Sequence, residues 1–543
     1  MIIIVLFFYL RHNQQKMKKL YLVFIFNLIL AGVFGQGISL MQQRKLMNAL
    51  NAISSLYVDS INDKKLVESA ITALLKDLDP HSSYIPREEV ERINEPLEGE
   101  FEGIGIQFQI FEDTLMVVQT IAGCPAEKVG ILPGDRIIYI NDELVAGVKI
   151  QNSDIMKRLR GPRGSEVTVK VLRRGKPELL IFKIIRDKIP LYSVDAHYMI
   201  GNDIGYIKIN SFGRTTDEEF VKAFTELQKK GMKHLIVSLQ GNGGGYLATA
   251  IQLADQFLDR GKLIVYTEGF HQPKKESLAT AVGKYETGKL VILVDEYSAS
   301  ASEIVSGALQ DWDRAVIVGR RTFGKGLVQQ QLPLVDGSMM RLTTARYYTP
   351  SGRCIQKPYK DGADKYEREL LTRYKKGELI HPDSIHFPDS LRYQTLRLKR
   401  TVYGGGGIMP DVFVPLDTTR FTDYHQKLVA RGVINKVSVQ FIDQNREDLK
   451  RKFSTFDKFE KEFTVDETFL QQLIQAGEKE NIPFQSSQFD TSRELIKLQL
   501  KALIARDLWD MNAYYRIINN DNEVLKKAVE LLQTPNAYEQ ILK

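Results

Sequence analysis

Between residues 189 and 350, short apolar runs alternate with amphipathic stretches, and this alternation limits the possible fold more than any other feature. Ile204 to Ile209, Leu235 to Leu239, Leu263 to Tyr266, Leu290 to Val294 and Val316 to Gly319 have strand length and strand composition. Phe220 to Lys229, Ala248 to Leu258 and Ser302 to Leu309 carry apolar residues at helical spacing. Strand and helix taken in turn on this scale predict an α/β domain with a largely parallel sheet. The chain has 543 residues, too many for one core, so a multidomain protein is expected.

The flanks read differently. Residues 37–97 suggest an N-terminal helical segment, with Leu46, Leu50, Ile53, Leu56 and Tyr57 at helical spacing. Residues 98–188 are strand-rich: Ile104, Ile106 and Phe108 alternate, as do Val167, Val169 and Val171, with glycine and proline between the runs. Residues 356–403 read as a charged, irregular insertion in a core that runs over 189–415. From 416 to 543 the pattern is amphipathic and helical, with Leu495, Leu498, Ala502 and Ala505 on one stripe. This C-terminal helical extension shows no catalytic signature.

At the start, Met17-Lys18-Lys19 precedes an apolar run from Leu20 to Val33, then Gly35 and Gln36. Residues 1–36 therefore read as a secretory signal peptide with its natural start at Met17, or as an N-terminal membrane anchor. Either one places the protein in the periplasm or cell envelope after export. No cysteine at the exit invites lipid attachment. The two cysteines, Cys124 and Cys354, form no CxxC pair and read as structural thiols, and no metal or cofactor motif is present. A net charge of +7, with both signs interspersed, describes a solvated surface rather than a nucleic-acid footprint.

The chemistry concentrates in two segments. Leu290 to Val294 runs into Asp295-Glu296-Tyr297-Ser298-Ala299-Ser300, and Ser300 and Glu303 have capping-box spacing. Ser300 at a helix start would have free backbone N–H groups and the positive helix end beside its hydroxyl, as a nucleophile requires. On this segment alone, a plain N-cap is the favoured reading, since capping boxes are common. Thr322-Phe323-Gly324-Lys325-Gly326 follows another apolar strand. A lysine desolvated there has its amine pKa lowered toward a usable general base. The spacing is not that of a phosphate-binding loop.

Together, Ser298-Ala299-Ser300-Ala301-Ser302-Glu303, then Gly307-Ala308-Leu309-Gln310-Asp311, then Thr322-Phe323-Gly324-Lys325-Gly326-Leu327-Val328-Gln329 resemble the C-terminal processing (tail-specific) peptidases over roughly residues 45–415. The resemblance implies a crotonase-like α/β peptidase core. It implies Ser300 as nucleophile and Lys325, 25 residues later, as its base. It also implies that Gln329 orients the amine and Asp311 supports the site. The oxyanion hole would use the amides of Ala301 and of Gly245, in the turn Gly241-Asn242-Gly243-Gly244-Gly245. His81, in Asp79-Pro80-His81-Ser82-Ser83-Tyr84, matches a family motif and reads as structural. The sequence departs from the family before the glycine turn. Where members carry Asp-Leu-Arg, it has Ser238-Leu239-Gln240, so a salt-bridge network is either missing or replaced.

Phe101-Glu102-Gly103-Ile104-Gly105-Ile106 resembles the carboxylate-binding loop of PDZ domains, as does the later stretch through Pro133-Gly134-Asp135-Arg136. That resemblance implies that residues 98–188 are an inserted PDZ domain. It would hold substrate C-termini at Gly103, Ile104, Gly105 and Ile106, with Ile104, Ile106 and Ile155 as apolar walls. Polypeptides are then the partners, with no nucleic acid; a homodimer and an adaptor or activator are both compatible. The expected activity is a secreted serine endopeptidase acting through an acyl-enzyme. A non-catalytic PDZ scaffold and a thioester enzyme on a crotonase-like sheet are the competing readings.

Overall fold

The computed structural model of the protein describes residues 37–543, so the export segment read at 1–36 lies outside the described residues. The chain divides into two compact units. The first holds the described residues up to Leu78 together with Phe270–Pro273. Its helices Leu40–Leu56 and Asp63–Lys76 are capped by the side chains of Ser39 and Asn62. The helix Leu40–Leu56 buries none of its residues, so the apolar stripe read from the sequence is exposed.

The second unit is built on a six-stranded sheet. Ile204–Ile209, His234–Ser238, Leu290–Val294, Val316–Gly319 and Val412–Phe413 lie parallel in that order, with Val194–Ile200 antiparallel at the edge. Both faces are buried, which explains the near-continuous apolar runs. Period-two alternation divides the side chains between the faces. Ile207, Val237, Ile292 and Ile317 pack under the helices Thr216–Lys229, Leu247–Asp255 and Ala301–Asp311. Tyr206, Ile236, Leu293 and Val318 face the other way and are covered by Val524, Leu525, Ala528 and Leu531 of the helix Glu523–Gln533. The end of the C-terminal extension is therefore part of the core. Its helices from Asp423 to Ile518 surround a separate apolar core.

Leu263–Gly269 is not in the parallel sheet. It pairs antiparallel with Met339–Tyr348, which also carries Leu327–Pro333 and Ser83–Ile85. Only the first half of that strand is apolar, and a polar half suits a sheet with one face less covered.

The strand-rich segment forms an antiparallel sheet in the order Ile106–Phe111, Thr114–Thr120, Arg136–Ile140, Glu166–Leu172 and Leu180–Ile185. The helix Asn152–Leu159 buries Ile155 and Leu159 against it. The chain enters and leaves through a two-stranded neck, Glu100–Gly103 with Asp187–Pro190, as an inserted domain must. Asp135 forms a 2.7 Å ion pair with Arg173, and Arg136 a 2.8 Å pair with Asp443 of the helix Val433–Lys452. Both therefore hold structure together, the second across to the helical extension.

The charged segment 356–403 is more ordered than its composition suggests. It contains the helices Ala363–Glu367 and Glu369–Lys375 and a hairpin, Arg392–Gln394 with Thr401–Tyr403. Its charges are paired, as in the 2.6 Å contact between Arg373 and Glu369. Cys124 and Cys354 are both free thiols.

At the end of the helix Ala301–Asp311, Asp311 pairs with Arg353 at 2.7 Å, both side chains fully buried. Removing one partner leaves a buried unpaired charge, whereas removing both does not. Arg353→Met should cost about 3–5 kcal/mol in chemical denaturation, and adding Asp311→Leu should recover most of that loss.

Candidate active site

Three loops at the carboxyl ends of adjacent parallel strands converge: the turn 241–245, the turn 295–300 and the loop 320–326. Small residues dominate the first two because the backbones nearly touch. A Cβ on Gly244 would lie 2.7 Å from the Ser300 Cβ, and one on Gly245 would strike the Phe212 carbonyl. Ser300 caps the helix Ala301–Asp311 with φ +56 and ψ −113. A non-glycine residue held there stores strain of about 1–3 kcal/mol, which the surroundings must offset.

Glu303 supplies that support. Its carboxylate is fully buried and accepts from the Ser300 N–H at 2.9 Å, the Thr322 hydroxyl at 2.5 Å, and the Gly324 and Lys325 N–H groups at 2.7 and 2.9 Å. The Ile408 N–H donates to the Thr322 hydroxyl oxygen, leaving the hydroxyl proton for Glu303. Burial holds the Glu303 carboxyl above its ordinary value, and these four donors oppose that only in part. Tyr347 adds a second tie, its hydroxyl 3.1 Å from the Ser300 carbonyl and 2.6 Å from that of Lys325. The capping-box spacing indicated Glu303 as a cap; nothing in the sequence indicated that it also grips the lysine loop.

Every backbone N–H and C=O of residues 322–326 has a partner. The N–H groups of Thr322 and Phe323 donate to Ile408 and Ser298, and that of Gly326 to the Gln356 side chain. Arg373 donates to the Thr322 and Phe323 carbonyls, while the Lys357 and Tyr347 N–H groups take those of Gly324 and Gly326. The insertion thus holds the lysine loop through Gln356, Lys357 and Arg373.

Lys325 Nζ donates to Gln329 Oε1 at 3.2 Å, and no direct bond joins it to Ser300. Ser300, Lys325, Gln329, Gly245 and Ala301 all line one cavity of about 350 Å³. Gln329 Nε2 is buried there without a partner. Burial pushes the Lys325 amine down, and Arg341 pushes it further; Glu303 and Asp79 oppose them. His81 bonds the Tyr366 hydroxyl at 2.7 Å and is held down at about 4, chiefly by burial and then by Lys325. It is neutral at pH 7 and lies in the packing around the lysine.

Ala301 is the first residue of its helix, so its N–H has no intrahelical acceptor. Around Gly245, the Phe212 N–H donates to Gly244 O and the Tyr246 N–H donates to Phe212 O. In a parallel bridge of this kind, the N–H of Gly245 itself points away from Phe212. Asp311 stands apart. It lies at the far end of the Ser300 helix, roughly 15 Å along its axis, and cannot reach the reacting atoms.

In the inserted domain, Gly103 closes the neck and Ile106 opens the next strand. Ile104 and Gly105 lie between, their carbonyls accepting from Ala126 and Ile121 and their N–H groups outside both ladders. A Cβ on Gly105 would strike Cys124. Ile104 and Ile155, read as groove walls, are instead core residues at 2% and 0% exposure; only Ile106 is part-exposed. The helix Arg87–Glu98 runs between this domain and the cavity lined by Ser300 and Lys325. Arg160 contacts Glu95 at 2.5 Å, Tyr246 donates to Glu98 at 2.9 Å, and Leu97 lines the cavity.

Residues 203–362 match Peptidase family S41. Carboxy-terminal-processing protease of Bartonella bacilliformis is 39% identical over 305 residues, covering 55% of this chain and 69% of that protein. The chain belongs to peptidase family S41. Carboxy-terminal processing protease CtpB of Bacillus subtilis is 37% identical over 316 residues, 58% of this chain and 65% of that protein. A solved structure of the photosystem II D1 C-terminal processing protease is 28% identical, covering 59% of this chain and 91% of that one, with a TM-score of 0.32. Residues 116–173 match a PDZ domain, and 424–510 match a family of unknown function. The family is serine-type.

A lysine that must be neutral to accept a proton gives a rate that rises with pH through its pKa. If Lys325 is the general base, kcat/KM should rise through a limb below the ordinary lysine value of 10.5. Arg341→Gln removes a charge that disfavours the protonated amine, so the limb should move to higher pH. A pH–rate profile of both proteins checks the direction.

Proposed function

We propose that the protein is an exported endopeptidase of the cell envelope or periplasm that recognises polypeptide C-termini through its PDZ domain and cleaves with a Ser300/Lys325 dyad. One observation carries this reading: a strained, helix-capping serine and a desolvated lysine share one cavity, and a single buried carboxylate ties their loops together. The geometry suits acyl transfer. Neutral Lys325 takes the Ser300 proton as Oγ attacks the peptide carbonyl. The oxyanion receives the Ala301 and Gly245 N–H groups, with the helix N-terminus behind the first. Lys325 then gives its proton to the leaving amine, and the acyl-enzyme remains on Ser300. Water, deprotonated by Lys325, releases the product and restores the serine. Gln329 holds the amine through the cycle.

The PDZ loop serves a different end. The N–H groups of Ile104 and Gly105 suit a terminal carboxylate, and the strand from Ile106 offers an edge for the tail. Holding the tail raises the effective concentration of nearby peptide bonds at Ser300. A homodimer and an adaptor or activator belong to the same proposal.

Peptides differing only in their last three residues should be cleaved at different rates by the wild type. Ser300→Ala and Lys325→Ala should each lose at least about 10³-fold, and the double variant no more than either, because the two residues act as a unit. Equal cleavage of all tails would overturn tail recognition. A folded wild type that cleaves none of them would support the scaffold reading.

A further inference from the structure

The departure at 238–240 removes two charges from behind the oxyanion turn, and the structure holds two others there. The peptide group joining Gln240 to Gly241 is gripped at both ends. Lys208 Nζ donates to the Gln240 carbonyl. The Gly241 N–H donates to both oxygens of Asp295, 2.9 Å from each. The peptide dipole thus lies between an ammonium and a carboxylate, in its favourable sense. The peptide plane is rigid, so fixing its two ends fixes how the chain enters the turn 241–245.

Asp295 also braces the turn that leads into Ser300. Its carboxylate accepts from the N–H groups of Tyr297 and Ser298, both at 3.0 Å. The Ser298 hydroxyl donates to the Leu239 carbonyl at 2.8 Å, closing a second link between the two turns. Burial holds the Lys208 amine below its ordinary value, with Asp295 and Asp195 opposing that in part. On the outer side, the Gln240 side chain accepts from Asn522 of the helical extension at 3.0 Å. Lys208, Gln240, Gly241 and Asp295 line one wall of a cavity of about 500 Å³, and helices of the extension line the other.

We propose that Lys208 and Asp295 are positioning residues of the oxyanion hole, an ionic clamp on the 240–241 peptide that replaces the charges absent at Ser238 and Gln240. This rests on the dyad reading above. The clamp touches no substrate atom. It acts by holding the Gly245 amide in register with Ser300 and Ala301, so it affects the transition state and leaves tail binding alone.

The experiment measures kcat and KM on the best-cleaved peptide, affinity for the peptide aldehyde of that sequence, and PDZ affinity for its tail peptide, with circular dichroism as a folding check. Lys208→Met and Asp295→Ala should each lose roughly 100-fold in kcat and a similar factor in aldehyde affinity, comparable to losing one oxyanion donor, with KM and tail affinity unchanged. Lys208→Arg should recover most of the loss. Asp295→Asn, which keeps an acceptor for the Gly241 N–H without the charge, should fall between and guards against misfolding of the alanine variant. Unchanged kcat and aldehyde affinity in folded Lys208→Met and Asp295→Asn would overturn the clamp. So would a parallel fall in tail affinity, which would mark a merely structural role. Ser300→Ala run alongside separates the two readings: if it stays active, the nucleophile assignment fails. If it is dead while the clamp variants are normal, only the clamp fails.

Discussion

The buried carboxylate of Glu303 is the interaction on which the rest of the site depends. Burying a charge without partners is costly, and Glu303 offsets part of that cost by taking four donors from two separate segments. Those donors include the N–H groups of both Ser300 and Lys325, so the proposed nucleophile and base are held relative to one atom group rather than through the sheet. The positive φ of Ser300 is sustained by the same bond. Charge-assisted hydrogen bonds contribute about 1.5–3 kcal/mol each, enough to offset a strain of about 1–3 kcal/mol.

The sheet explains why so few contacts suffice. The turn 241–245, the turn 295–300 and the lysine loop follow three consecutive neighbours in the parallel ladder. Neighbouring strands lie about 4.8 Å apart, so the loops meet without long excursions. A crevice at the carboxyl ends of parallel strands is the general location of sites in such sheets. Here the loops must also approach one another closely, which accounts for the glycines at 244 and 245 and the Ser-Ala alternation around Ser300.

What could be read from the sequence follows from the range of the interactions. The parallel strands announce themselves because both their faces are buried, and Ser300 and Lys325 because motif and local geometry coincide. Contacts between distant segments left no local trace. Arg373 and Lys357 look like surface charges in a charged stretch, yet Arg373 is buried and both grip the lysine loop. The helix Glu523–Gln533 looks like any amphipathic helix, and only the apolar second face of the sheet shows where it belongs. Ile104 and Ile155 have groove composition but lie inward, because alternation gives a side chain's face and not what lies beyond it. Asp311 stands in a motif close to the dyad in sequence, but a rigid helix carries it away.

The same reasoning applies to the departure at Ser238 and Gln240. Read along the chain, it is a loss of charge at a place where the family has it. Read across the sheet, Lys208 and Asp295 come from the strands on either side of His234–Ser238, and their charged groups meet the peptide just beyond its end. On the clamp proposal, charge lost from one strand is supplied to the same peptide by its neighbours. The helical extension covers this point and also contacts the PDZ domain through Arg136 and Asp443. It therefore supports both the module suited to tail binding and the turn suited to the oxyanion, and its closing helix fills out the core sheet between them.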